Sequence, residues 1–288
     1  MPELPEVEVV KRSLRKNIVN SVITNVLTNT NKLRYAVKKK DFQKLKNHKI
    51  ISITRRSKYL LINTNNELTI LVHLGMTGKF IIIDGNSKFK KTSFYYSLNK
   101  NDKKHNHVIF NLNKDKKLIY NDIRKFGFIK ILCSKNIYKS SHLSSLGPEP
   151  MSNNFNSNYF KNIITNKNRT TKDILMDQKI VSGLGNIYVN EILFLSKINP
   201  RKKIKKLKDK DIEKIVYFTK KILKRSILEG GSSIKNFSNS DGKNGIFQQQ
   251  FNVYGQIGEK CIRKNCKNYI RKTYISNRST FFCKTCQK

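Results

Sequence analysis

The residues best suited to chemistry lie at the two ends of the chain. Four of its five cysteines fall within the last 28 residues, as Cys261-x4-Cys266 and Cys283-x2-Cys286 with 16 residues between the pairs. Two close pairs on short turns, with room for a β-hairpin between them, can set four thiolates at the corners of a tetrahedron. The pattern predicts one structural Zn2+ held by Cys261, Cys266, Cys283 and Cys286. The fifth, Cys133, stands apart and is expected as a small buried hydrophobe.

At the other end the chain reads "MPELPEVEVV". A Met before a residue as small as proline is ordinarily removed, which would give Pro2 a free secondary amine. An α-amino group titrates near ~7.7 to 8.0, against ~10.4 for lysine, so much more of it is an unprotonated nucleophile at neutral pH. Attack by such an amine on a sugar's anomeric carbon expels the base and gives an iminium, a cation with no neutral imine to fall back to. That electron sink acidifies the next sugar carbon and permits elimination of phosphate, with Glu3 placed to carry protons. A proline followed by acids also suits a plain helix start, and these residues alone leave both readings open.

Two further stretches could hold phosphate. In "KIVSGLGNIYVNEI" a glycine turn precedes Asn186, an N-cap residue type, and backbone N–H groups at a helix start bind anions. Such turns also serve only to reverse the chain. Between the cysteine pairs, "YIRKTYISNRSTFFC" puts Arg278 at the bend of a zinc-stapled hairpin, where it is either a stiff arm for phosphate or a solvated cation.

These groups need a scaffold, and the pattern along the 288 residues supplies one. Apolar Val7, Val10, Leu14 and Ile18 after Pro5 predict an amino-terminal helix. From 21 to about 133, short β-rich runs separated by Asn, Gly, Asp and Lys clusters predict an antiparallel sandwich. "SSLGPEPMS" reads as a linker, and the apolar spacing after it turns helical, with two helices joined by the "IVSGLGN" turn. The fold class expected is α+β and multidomain: a catalytic β-sandwich with its terminal helix over 1–143, a linker over 144–152, a helical domain over 153–254 and a zinc finger over 255–288. A polar, glycine-rich loop at 238–245 is expected in the helical part.

Lys and Arg number 59 against 19 Asp and Glu, a formal charge of +40. A surface so positive attracts polyanions through counterion release, although lysine, asparagine and isoleucine bias also produces solvated basic faces. No run of about 20 apolar residues and no signal peptide is visible, so a soluble intracellular protein is expected. No nucleotide, flavin or other organic cofactor is suggested.

Taken in order, "MPELPEVE", "RRSKYLL", "HLGMTG", "DIRKFG", "LGPEP", "LMDQKIVSGLGNIYVNE" and the four-cysteine finger resemble the formamidopyrimidine-DNA glycosylase family, with landmarks along the whole chain. The resemblance implies a bifunctional base-excision-repair enzyme, a monomer acting on double-stranded DNA that carries oxidised purines or abasic sites. It would excise 8-oxoguanine and formamidopyrimidines and then nick the strand by β- and δ-elimination. It implies Pro2 as Schiff-base nucleophile, Glu3 as the acid assisting base loss, Lys58 as phosphate contact and proton donor, and Arg278 as the phosphate grip in δ-elimination. His73, His105, Arg124, Lys167 and Asn186 fall on DNA-contacting positions. A flipped nucleotide leaves a gap in the helix, and Met76, Arg124 and Phe126 would fill it, with the arginine reading the opposite cytosine. The 238–245 loop resembles a lid over the flipped base.

One spacing departs from the family: the first cysteine pair is x4 where x2 is usual, read here as an enlarged knuckle that still permits zinc. The rival readings are an endonuclease VIII-like enzyme for oxidised pyrimidines and a catalytically silent DNA-binding zinc protein.

Overall fold

In a computed structural model the described residues are 2–85, 88–92, 100–231 and 251–288; the 238–245 loop lies outside them. They form two compact units, one of residues 2–144 with 229–231 and one of residues 145–228 with 251–288.

The first unit opens with α1 (Leu4–Ile18). Pro5 suits the first turn because it gives up only an N–H that has no intrahelical partner there. The Glu3 N–H donates to Glu6 Oε2 at 2.8 Å and so caps the start. Val7, Val10, Leu14 and Ile18 form the buried stripe that the spacing predicts, and Leu4 is buried with them.

Among the described residues nine strands follow: β1 (Val22–Thr28), β2 (His48–Arg56), β3 (Tyr59–Thr64), β4 (Leu68–His73), β5 (Lys79–Asp84), β6 (Lys88–Lys91), β7 (Asn106–Leu112), β8 (Lys117–Asn121) and β9 (Phe128–Cys133). A short helix, α2 (Lys39–Gln43), lies between β1 and β2. Every pairing is antiparallel, in the order β6-β5-β8-β7-β1-β2-β3-β4-β9. The sheet is nearly cut in two at β1 and β2, which pair only through Val22 with Lys49 and Ile23 with His48. Residues from both sides of this junction, such as Phe80, Phe110 and Tyr120 on one and Ile53, Ile62 and Val72 on the other, share one core with α1. The result is the expected sandwich, with the helix packed on β2 and β3.

Cys133 departs from expectation, for it is exposed. It is the last residue of β9, an edge strand paired on one side only, by β4.

The second unit contains α3 (Ser157–Ile164), α4 (Thr171–Met176), α5 (Asn186–Leu195) and α6 (Asp209–Leu228), then the hairpin of β10 (Arg271–Ile275) and β11 (Arg278–Phe282). Gln178 closes the turn between α4 and α5: its side chain donates to Met176 O and Leu184 O and accepts the Gly183 N–H. Gly183 stands at φ +91, a conformation glycine reaches without a Cβ clash. The finger shares a core with α5, made of Phe194, Val253, Cys261, Ile270, Phe281 and Cys283.

Candidate functional site

Pro2 and Glu3 are buried at the head of α1. One turn further on, Glu8 accepts hydrogen bonds from Lys11 Nζ at 2.6 Å, Arg12 Nε at 3.1 Å and Arg55 Nε at 3.0 Å. Burial acts to raise the Glu8 pKa, but the hydrogen bonds from Lys11 and Arg55 outweigh it and hold the carboxyl below its ordinary value. Arg55 then donates Nη1 to Ser57 O at 2.7 Å. Ser57 occupies φ +54 in the turn between β2 and β3, and Lys58 follows it, only 6% exposed. Two side-chain hydrogen bonds, Arg55 to Glu8 and Arg55 to Ser57 O, thus join α1 to the turn that carries Lys58. The sequence reading passed over Glu8 and Arg55, since nothing local marks a pair 47 residues apart. Beside Glu6 stands Gly231, at φ +81, where an added Cβ would lie 3.4 Å from Glu6 Cα.

His73 ends β4, paired with Tyr59 on one side and Phe128 on the other. Its ring stacks on Phe128 with 5.8 Å between centroids and 13° between planes. Burial, aided by the Lys58 charge, lowers its pKa to about 4. The ring is therefore neutral, and because Nδ1 accepts the Gly75 N–H at 3.0 Å, the proton resides on Nε2. That leaves one N–H donor fixed in direction.

Met76 and Phe126 are 41% and 47% exposed, not core residues of the sandwich. They sit on two turns, one between β4 and β5 and one between β8 and β9, which meet glycine to glycine. A Cβ on Gly75 would fall 2.4 Å from Gly127 N. The Arg124 guanidinium lies over the Phe126 ring at 4.5 Å. His105 comes immediately before β7, half-buried, with its carbonyl accepting the Asp122 N–H from the second turn.

In the second unit, the two-residue bend of the finger hairpin has Ser276 at φ +48 and Asn277 at φ +58, so Ile275 and Arg278 face each other across a tight turn of the type hairpins favour. Arg278 is exposed at its edge. Behind it lies Lys172, a fully buried lysine that sequence reading missed: Nζ donates to Ser279 O at 3.0 Å and Thr280 Oγ1 at 2.7 Å. Asn186 differs from the cap expected. Gly185 is the N-cap of α5, and Asn186 Nδ2 instead donates to Ser279 O at 2.9 Å. Asn190, one turn on, accepts the Phe281 N–H at 2.7 Å. Lys167 lies half-buried in the turn after α3. A cleft of about 420 Å3 has three cationic side chains on its wall, Arg169, Lys172 and Arg278, with two acidic ones, Asp173 and Asp177, the latter paired with Arg169.

The cysteine sulfurs all lie within 4.8 Å of one another, with Cys261 and Cys286 at 3.8 Å and Cys266 and Cys283 at 3.7 Å. A tetrahedral ion with ~2.3 Å bonds to sulfur requires sulfur atoms roughly 3.8 Å apart. The four thiols therefore fit one structural Zn2+, and all four positions are filled by protein.

Comparison with known proteins agrees along the whole chain. Residues 1–129 match the formamidopyrimidine-DNA glycosylase N-terminal domain, 146–238 its H2TH domain, and 258–288 the zinc finger found in FPG and IleRS. The formamidopyrimidine-DNA glycosylase of Rickettsia bellii is 41% identical over 288 residues, covering 100% of both chains. That of Rickettsia felis is 38% identical over 287 residues, covering 100% of this chain and 98% of the relative. A point mutant of Lactococcus lactis Fpg in complex with Fapy-dG-containing DNA superposes with a TM-score of 0.86 at 33% identity, covering 100% of each chain. A second complex of that protein, with abasic-site DNA, gives the same score and identity.

Proposed function

The chain belongs to the formamidopyrimidine-DNA glycosylase family, and from that premise we propose how its residues divide the reaction. It is a DNA glycosylase of base excision repair with the AP lyase activity of its family. The observation that carries this is the full-length likeness to Lactococcus lactis Fpg, whose complexes contain Fapy-dG and abasic-site DNA.

Once Met1 is trimmed, the Pro2 nitrogen attacks C1′ of the damaged nucleotide and loses its proton, while the C1′–base bond breaks with its electrons going to the base. Glu3 gives a proton to the sugar ring oxygen as the C1′–O4′ bond opens, leaving an iminium at C1′. Loss of a C2′ proton then drives out the 3′ phosphate with the C3′–O electrons, and elimination of the 5′ phosphate follows. Lys58 is the phosphate contact and proton donor for the first elimination, and its buried place after the Arg55-clamped turn supports that reading. Arg278 grips phosphate for the second. Met76, Arg124 and Phe126 fill the gap in the duplex, which their exposure favours. His73 through Nε2, His105, Lys167 and Asn186 contact the strand.

The substrates are oxidised purines, 8-oxoguanine and formamidopyrimidines, in duplex DNA. A further Lactococcus lactis Fpg complex holds oxidised-pyrimidine DNA, so oxidised pyrimidines stand as the second substrate class to test. The relatives are bacterial, and no helix among the described residues is long and apolar enough to cross a membrane. We place the protein on the bacterial chromosome, in the cytoplasm, as a monomer.

Borohydride trapping on an 8-oxoguanine:cytosine duplex tests the assignment. A covalent adduct is expected. One residue added ahead of Pro2 should abolish the adduct while affinity for an abasic analogue persists. An adduct that survives the blocked terminus refutes Pro2 as nucleophile, and trapping confined to thymine glycol DNA moves the substrate class to pyrimidines.

A further inference from the structure

Beneath the exposed trio a set of hydrogen bonds centred on buried Asp122 joins its two turns. Thr77, the residue after Met76, donates Oγ1–H to Asp122 Oδ1 at 2.5 Å and accepts the Arg124 N–H at 3.0 Å. Asp122 is fully buried. Its Oδ2 accepts the Gly127 N–H at 2.8 Å and the Tyr120 hydroxyl at 3.3 Å. Burial and the Asp122 charge raise the Tyr120 pKa well above its ordinary value, which keeps that hydroxyl protonated and donating. The Asp122 carbonyl accepts Nε2–H of His107, itself buried, and burial depresses the His107 pKa.

A buried carboxylate is tolerated only when its lone pairs are matched. Here both oxygens are matched by groups from the strand and turns that present Met76, Arg124 and Phe126. Two turns carrying large exposed side chains would ordinarily sample many arrangements. These two are tied across a gap of 45 residues by one hydroxyl and one carboxylate, and they touch through Gly75 and Gly127 with no room for a Cβ.

We propose that Thr77 and Asp122 are positioning residues that lock the two turns into one preformed wedge, setting the spacing of Met76 from Arg124 and Phe126 before DNA arrives. The proposal rests on the reading of the trio as the group that fills the duplex gap. It predicts that the Thr77 hydroxyl matters for damage in a duplex, where a gap must be filled and a partner base read. It should not matter for an abasic site in a single strand, where neither exists.

The test compares Thr77→Val, which keeps the shape and loses both hydrogen bonds, with Thr77→Ser, which keeps them. Single-turnover excision of 8-oxoguanine is measured opposite cytosine and opposite adenine, beside cleavage of an abasic site in a single strand. For Thr77→Val we expect about a tenfold loss opposite cytosine and a narrowed cytosine-over-adenine preference, with Thr77→Ser and every single-strand rate within about twofold of the parent. Parent-like excision and base preference in Thr77→Val overturns the proposal. So does an equal loss on the single strand, which makes the hydroxyl a support of the fold alone, or a serine variant as impaired as the valine one. If the parent chain excises nothing from duplex DNA while cutting the abasic strand, the gap-filling reading falls, and this proposal falls with it.

Discussion

Glu8→Gln is the substitution whose consequences the structure fixes most closely. Glu8 and Arg55 have side chains 10% and 11% exposed, so their bond is a nearly buried, charge-assisted one. Losing such a bond costs about 1.5–3 kcal/mol. Lys11 and Arg12 are 21% and 57% exposed and add less; exposed pairs are worth about 0.2–1 kcal/mol, and a glutamine keeps one acceptor oxygen. The net expectation is about 2 kcal/mol, or a fall of about 4–8 °C in the melting midpoint of the sandwich unit.

The pH dependence gives the sharper check. In the folded chain the Glu8 carboxyl lies below its ordinary 4.5, because its hydrogen bonds outweigh burial. A carboxylate depressed on folding stabilises fully above the unfolded pKa and loses that contribution as pH falls through the folded one. The stability gap between parent and Glu8→Gln should therefore be full at pH 7 and shrink below about pH 4.5. Urea melts of both proteins at pH 7, 5.5 and 3.5 measure it. A gap under about 0.5 kcal/mol at pH 7, or one unchanged at pH 3.5, refutes the reasoning.

His73, with its pKa lowered to about 4 by burial and the Lys58 charge, should show flat ring chemical shifts from pH 5.5 to 8, and a midpoint near 6.5 contradicts the neutral ring. Because its folded value lies below the unfolded one, its contribution to stability is full above about pH 6.5 and is lost as pH falls toward 4. Stripping the zinc with a strong chelator removes the cross-link among four thiols that share a core with Phe194, Val253 and Phe281, so amide exchange over 258–288 should accelerate while the sandwich core stays protected. Unchanged exchange in the finger counts against a structural metal.

How much of this was legible in the sequence follows from how far apart the interacting groups lie. The metal site was readable because each pair of cysteines is local and zinc fixes their geometry. So was α1, whose buried stripe repeats through 15 residues. α3 went unread because eight residues give barely two turns of pattern. Lys172 was missed because a lysine on a six-residue helix looks solvated until partners 107 and 108 residues away bury it. Asn186 has the composition of a cap, yet the hairpin claims its amide from 93 residues away. For Lys172 and Asn186 a distant partner overrode a local preference.

The enlarged first knuckle of the finger shows how such a departure is absorbed. Two extra residues between Cys261 and Cys266 could have pushed a sulfur out of reach, but both cross-pair distances stay near 3.8 Å. The slack is taken up by Asn265 at φ +67, a conformation asparagine tolerates better than most residues, and by a turn in which the Cys266 N–H donates to Arg263 O. The lengthened loop also brings Arg263 to the end of α5. Its Nη2 donates to Phe194 O at 2.6 Å and Leu195 O at 3.3 Å, and the guanidinium lies 4.7 Å over the Phe194 ring. The last carbonyls of a helix have no partner within it and carry the negative end of its dipole, so a cation placed there is favoured twice. The knuckle thus lengthens without loosening: the residues that widen it also fasten it to α5, the helix whose first turn holds the Arg278 hairpin.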